Sequence, residues 1–364
     1  MEIGIMGLAT AGKTTVFNAL ARAKVEVATY STAAEEPHRA VVHVPDERLE
    51  KLSALFKPKK TTPAEVRYVD VAGSLQSEGD AARSAQVIGQ LRNADALLLV
   101  VRAFVNDAVP HPLGKVDPIR DLQTLLDELV LSDLTVVEKR LERLEKDLRF
   151  ASKGGPSEAV KERDVLAQIK TALDAGRPIR DLGLPASDLK LLRSYGFLTA
   201  KPTMILFNTG DSSEGAAELE NKARALVPYA QTEVTSLAGR LEMELAELEP
   251  EDAEEFMTGL GIEELGLNRV IQLSYRLLDL ISFLTVGPDE CRAWTIHRGS
   301  TSVEAAGAIH SDLARGFIRA EVVGWEPLLA AGGWNEAKRQ GLIRSEGKTY
   351  IVQDGDVINV LFSV

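Results

Sequence analysis

The chain has 364 residues, more than a single hydrophobic core usually organises, and a composition of 45% hydrophobic and 26% charged residues typical of soluble globular proteins. A formal charge of −12 argues against whole-surface binding to nucleic acid, and the lone cysteine, Cys291, excludes an internal disulfide framework and fits a reducing, cytoplasmic setting. The best apolar run, 94–101, is far shorter than the roughly 18–20 residues of a membrane span, and Met1 leads straight into a strand-like segment, so neither a span nor a signal peptide is expected.

In chain order, short apolar runs predict strands at 2–6, 41–44, 65–71, 96–102 and 203–207, alternating with helical patterns as in an open α/β sheet. Between the last two, Leu122, Leu125, Leu126, Leu129, Leu134, Val137, Leu141, Leu144 and Leu148 recur at three- and four-residue spacing, with opposite charges on the other faces. Gly154-Gly155-Pro156 interrupts this pattern and 158–173 resumes it, which predicts an antiparallel helical hairpin inserted in the sheet domain. Such a hairpin either packs on its host or serves as a partner-binding arm. After an acid-rich stretch, 242–255, a helix is predicted over 268–284, and Gly287-Pro288 marks a boundary. Beyond it the expectation is a strand at 292–296, a helix at 302–314, a strand at 317–323, and a final strand pair, 350–352 and 357–362, turning through 353–356.

Three motifs carry chemistry. Gly7-Leu8-Ala9-Thr10-Ala11-Gly12-Lys13-Thr14 satisfies the pattern GxxxxGK[ST] between a strand and a helix, the context in which glycines let backbone N–H groups converge on phosphate oxygens. Lys13 should bridge the β- and γ-phosphates and the Thr14 hydroxyl should bind Mg²⁺. Val69-Asp70-Val71-Ala72-Gly73 ends a strand with an acid suited to hold the metal through water, and the Gly73 N–H is placed to meet the γ-phosphate. Asn208-Thr209-Gly210-Asp211 keeps the spacing of the guanine reader N-K-x-D without its lysine; a base-reading turn and a plain polar turn both fit. The candidate nucleotide contacts are Gly7, Thr10, Ala11, Gly12, Lys13, Thr14, Thr15, Asn208 and Asp211, with Ser236 added from outside these motifs. Lys13 and Gly73 are the catalytic candidates; Thr14 and Asp70 are the metal ligands. The five histidines lack metal-ligand spacing, and the 57–60 lysines read as a solvated connector.

Together these residues resemble the YchF / Obg-like ATPase family of translation-factor-related P-loop NTPases. The likeness runs nearly the whole chain and is most specific at Lys57-Pro58-Lys59-Lys60, Val116-Asp117-Pro118-Ile119-Arg120, Thr199-Ala200-Lys201-Pro202 and above all Arg292-Ala293-Trp294-Thr295-Ile296, 316–322 and 350–357. It implies an α/β fold: a Ras-like nucleotide-binding domain (1–118 and 199–286), an inserted coiled-coil hairpin (119–198) and a C-terminal β-grasp (TGS) domain (287–364). It further implies slow Mg²⁺-dependent hydrolysis of ATP or GTP coupled to a macromolecular partner, the ribosome or RNA, through the C-terminal domain. Four departures stand out. Thr10 replaces an Asn tied in the family to monovalent-cation-assisted catalysis, and Ala34 replaces a first-switch Thr, with Thr32 nearby. The segment after Gly73 is short, and Asp211 occupies a glutamate position. A nucleotide-sensing module with negligible turnover is the alternative; a metabolic kinase is disfavoured by the lack of an evident acceptor-substrate site.

Overall fold

The computed structural model describes residues 1–22, 38–71, 81–150, 157–211, 214–260, 262 and 264–363. In chain order its strands are β1 (Glu2–Met6), β2 (His38–His43), β3 (Lys60–Thr62), β4 (Glu65–Asp70), β5 (Ala96–Arg102), β6 (Thr203–Asn208), β7 (Thr232–Leu237), β8 (Leu280–Thr285), β9 (Glu290–His297), β10 (Phe317–Gly324), β11 (Arg344–Glu346) and β12 (Asp356–Phe362). They form two sheets that belong to two compact units, one comprising 1–41 and 67–267 and the other 42–66 and 268–364.

The first sheet has the order β2-β4-β1-β5-β6-β7. β1 runs parallel to β4 and β5, and β5, β6 and β7 continue the parallel register. Strands covered by helices on both faces lack polar-out alternation, which is why every residue of β5 and β6 is buried. Leu97, Leu99, Val101, Ile205 and Phe207 share one core with Leu122, Leu125 and Leu129. Because the strands are parallel, Met6, Asp70, Arg102, Asn208 and Leu237 all end at the same edge, where open α/β sheets bind ligands.

The leucine pattern forms the helices Pro118–Phe150 and Ser157–Asp174, which bury Val137, Leu144, Val165, Leu166, Ile169 and Leu173 between them. The Gly-Gly-Pro break lies outside the described residues. Buried Asp133 fastens the long helix by accepting from the N–H groups of Leu198 (3.0 Å) and Thr199 (2.7 Å). No described helix is long and apolar enough to cross a membrane.

The second sheet has the order β11-β10-β12-β8-β9-β3. β8 and β9 form an antiparallel hairpin, helix Ser302–Ile309 packs on β9 and β10, and β12 returns parallel beside β8 while pairing antiparallel with β10. Hairpin, helix and a returning central strand make a β-grasp arrangement.

Six expectations need correction here. The predicted helix 268–284 is the helix Gly266–Leu277 followed by β8. An apolar run such as 280–284 does not choose between the two periods, and Asp279, at φ 51°, makes the turn that ends the helix. The predicted helix 302–314 breaks at His310, whose extended backbone and Nδ1, accepting from the Asp312 N–H at 3.2 Å, start a second short helix. The 350–352 segment is not a strand paired with β12. It docks on 300–302 through Ser302 N–H to Tyr350 O (2.9 Å) and Val352 N–H to Ser300 O (3.0 Å). The boundary expected at 287 falls inside the second unit, in the β8–β9 turn, because β8 is a central strand of that sheet. Residues 42–66, read as part of the nucleotide domain, belong to this unit too. The supposed lysine connector runs into β3 at Lys60, parallel to β9, and helix Glu47–Phe56, with Leu49 and Leu52 buried, packs on β9.

Candidate nucleotide site

The phosphate loop runs from the end of β1 to helix Lys13–Arg22. Its glycines are dictated by their surroundings. A Cβ on Gly7 would collide with the Val100 carbonyl oxygen, and Gly12 holds φ +88° where a Cβ would collide with the Asn208 amide. Thr10 also takes a left-handed conformation, φ 61°, which is costly for a β-branched residue. The first helical turn leaves N–H groups without intrahelical partners, and these with the helix dipole favour an anion.

Lys13 Nζ donates to the Gly7 and Leu8 carbonyls, both at 3.1 Å, so its own loop holds the ammonium in place. Burial pushes its pKa below the usual lysine range, opposed by the Asp70 charge. Asp70, at the end of β4 and 5% exposed, accepts from the Thr14 hydroxyl at 3.3 Å. Burial raises its pKa, with Lys13 and Thr14 pulling the other way. Both groups are thus penalised for being charged, and each is the other's partial remedy. Thr14 and Asp70 juxtapose two hard oxygens beside the loop, which suits Mg²⁺. The described residues hold no group of three acids, His or Cys able to cage a metal alone, so phosphate oxygens and water would complete the shell.

Arg102 was not expected. It ends β5, is 2% exposed, and donates to Thr10 Oγ1 (3.1 Å) and to the carbonyls of Phe104 (3.1 Å), Asn106 (3.3 Å) and Val109 (3.0 Å). The signal available in sequence was a single charge closing a wholly apolar strand at the ligand-bearing end. Asn208, also buried, donates from Nδ2 to Ala11 O (3.1 Å) and accepts at Oδ1 from Gly210 (3.2 Å) and Gly239 (3.3 Å) N–H groups. It ties the phosphate loop to the turn after β6 and to the end of β7. Thr209 turns its hydroxyl back to Leu237 O (3.3 Å), and Asp211 is exposed, with Arg240 Nε 3.7 Å away.

These parts enclose a cavity of about 930 Å³, lined by Thr10, Gly12 and Thr15 on the phosphate side and by Phe104, Asn208, Thr209, Asp211 and Met243 on the other. Ser236 is not among its lining residues: its hydroxyl donates to Glu220 at 2.7 Å, because the residue points to the helix Ala216–Leu226 that covers β7. Gly73, Ala34 and Thr32 lie outside the described residues.

Two family models match the chain: "50S ribosome-binding GTPase" over residues 2–139, and a YchF-type C-terminal family described as a protein of unknown function over 280–363. The "Ribosome-binding ATPase YchF" of Bacillus subtilis is 40% identical over 369 residues, covering 100% of each chain, and that of Haemophilus influenzae is 41% identical, covering 100% of this chain and 99% of the relative. The chain belongs to the YchF family. A solved YchF GTPase from Schizosaccharomyces pombe superimposes with a TM-score of 0.85 at 29% identity, covering 99% of this chain and 97% of that one. YchF membership accounts for the arrangement seen here, a P-loop NTPase domain with a helical hairpin between β5 and β6 and a β-grasp sheet at the C-terminal end. It also makes a nucleotide the substrate class of the chain.

Proposed function

We propose that this chain binds a purine nucleoside triphosphate, ATP modestly ahead of GTP, hydrolyses it slowly with Mg²⁺, and couples nucleotide occupancy to docking on the ribosome in the cytoplasm. One observation carries the reading: phosphate loop and base-side turn line a single cavity of about 930 Å³, sized for a nucleotide. The relatives' printed name, ribosome-binding ATPase, supports both the ATP preference and the partner.

At the phosphate loop beside that cavity, Lys13 exchanges its bonds to Gly7 O and Leu8 O for phosphate oxygens, and the anion removes the penalty that burial places on the ammonium. Thr14 and Asp70 would hold Mg²⁺, which when bound offsets charge on the transferring phosphoryl group. Backbone N–H groups around Gly12 supply the remaining electrostatic stabilisation, with Gly73 as the further candidate, and no side chain is assigned as general base. Base selection is weak by construction. Thr209 offers no aliphatic stem to cover a purine ring, and Asp211 must leave Arg240 to accept from guanine. Slow turnover is supported by Thr10, whose hydroxyl is already engaged by Arg102 where the family resemblance calls for Asn.

The test is calorimetric titration of ATP and GTP with and without Mg²⁺, single-turnover hydrolysis across K⁺ concentrations, and co-sedimentation with ribosomes using a non-hydrolysable triphosphate. Saturable ATP binding, slow hydrolysis and nucleotide-dependent pelleting are expected. Absence of triphosphate binding would overturn the site, and pelleting indifferent to nucleotide would overturn the coupling.

A further inference from the structure

Arg102 is an anomaly by ordinary rules. A guanidinium that is 2% exposed normally meets a carboxylate, yet its donors among the described residues go to one hydroxyl and three carbonyls, with the Phe104 ring 4.6 Å from Cζ. The oxygens it gathers are not random. One belongs to Thr10 of the phosphate loop; the others belong to Phe104, Asn106 and Val109, which lie in the loop that follows β5 and all line the cavity. In the sheet register Arg102 sits opposite Asn208, and Ala103 N–H donates to Asn208 O at 2.8 Å, so the same strand end also abuts the base-side turn.

We propose that Arg102 is a positioning residue that couples the phosphate subsite to the wall of the base subsite, so that triphosphate and purine are each bound well only while its fork joins Thr10 to the 103–109 loop. The physical basis has two parts. The planar guanidinium presents donors in fixed directions, so moving Thr10 moves the carbonyls on the other arms, which a single-point ammonium would not transmit. The bond to Thr10 Oγ1 also helps to hold that residue at φ 61°, a conformation a threonine does not keep unaided. The buried cation lies behind a loop built to receive a polyanion, and among the described residues no carboxylate is bonded to it, so bound phosphate would supply countercharge there. This deepens the nucleotide-site reading and depends on it.

The experiment measures affinities for ATP and for inorganic triphosphate, the phosphate moiety without a base, in wild type, Arg102→Met, Arg102→Lys, Thr10→Val and Arg102→Met/Thr10→Val. Arg102→Met should weaken ATP by about tenfold or more but triphosphate by only about threefold, since only ATP also loses the base wall. Arg102→Lys, which keeps the charge and is the variant to read if Arg102→Met does not fold, should show the same unequal loss to a smaller degree. Thr10→Val should weaken ATP severalfold in wild type and by less than about twofold in the Arg102→Met background, because the two act through one bond. Equal losses for ATP and triphosphate, additive effects of the two substitutions, or an unchanged ATP affinity in a folded variant would each overturn the proposal. Failure of the wild type to bind either ligand would instead remove the nucleotide site itself.

Discussion

In the parallel sheet, buried Asp70, Arg102 and Asn208 end their strands at one edge, with half-buried Lys13 beside them in the phosphate loop. In the β-grasp unit polar groups, from buried to exposed, form separate small networks closed by neighbours. Asp356 accepts from Gln353 N–H (2.9 Å) and Tyr350 OH (2.8 Å), and the Tyr275 hydroxyl meets Ser282 (2.8 Å) and Thr295 (3.0 Å). Thr301 and Glu304 form a complete capping box, and Arg48 holds Asp46 through two bonds at 2.8 Å with Asp354 at 3.0 Å. The contrast separates two uses of polar groups. A network satisfied within the chain fixes one fold, whereas charges left partly uncompensated at a strand edge hold free energy that a ligand can release.

The strongest test of the contrast is truncation. Removing 287–364 takes β9 from beside β8 and from under the helix Glu47–Phe56, so Phe283, Leu49 and Leu52 lose their cover. The truncated chain should lose cooperative melting or solubility, and a sharp, wild-type-like transition would break the division into these two units. Next is Lys13→Ala. Loss of a charge-assisted bond to phosphate costs about 1.5–3 kcal/mol, roughly 10–150-fold in triphosphate affinity, with an unchanged circular-dichroism spectrum. Unchanged affinity by calorimetry would move the phosphate site elsewhere.

Asp70→Asn sharpens the idea of stored free energy. The Asp70 pKa is raised on folding, so its penalty is absent below the unfolded value of 3.8, grows as pH rises, and is complete above the folded value. At neutral pH, without nucleotide, Asp70→Asn should therefore melt about 2 °C higher, while at pH 3 the two should coincide. The same substitution should remove most of the Mg²⁺ dependence of triphosphate binding. A variant less stable than wild type at neutral pH would show that the Asp70–Lys13–Thr14 contacts outweigh burial. The smallest effect is expected at exposed Asp211: Asp211→Asn should lower GTP affinity about threefold while leaving ATP nearly unchanged, since an exposed carboxylate paired with Arg240 contributes little. A strong GTP preference that ignores this change would place base recognition in other residues.

The phosphate loop, the strands that carry it and the helical hairpin were legible in the sequence because each rests on local rules: glycines for close backbone approach, continuous apolar runs for a doubly covered sheet, and a three- and four-residue leucine spacing for helices. What the sequence left open depended on contacts between distant residues. The 280–284 run suits helix and strand alike, and only pairing with β9 and β12 makes it β8. The 57–60 lysines look like a connector until β9 supplies a partner for Lys60, Thr61 and Thr62, 230 residues further on. Ser236 is a nucleotide candidate in the sequence, but in the fold its hydroxyl turns to Glu220. Arg102 shows the limit most clearly. Its residue type and position could be read, but its function lies in which four oxygens, spread from Thr10 to Val109, the fold brings within reach of one guanidinium.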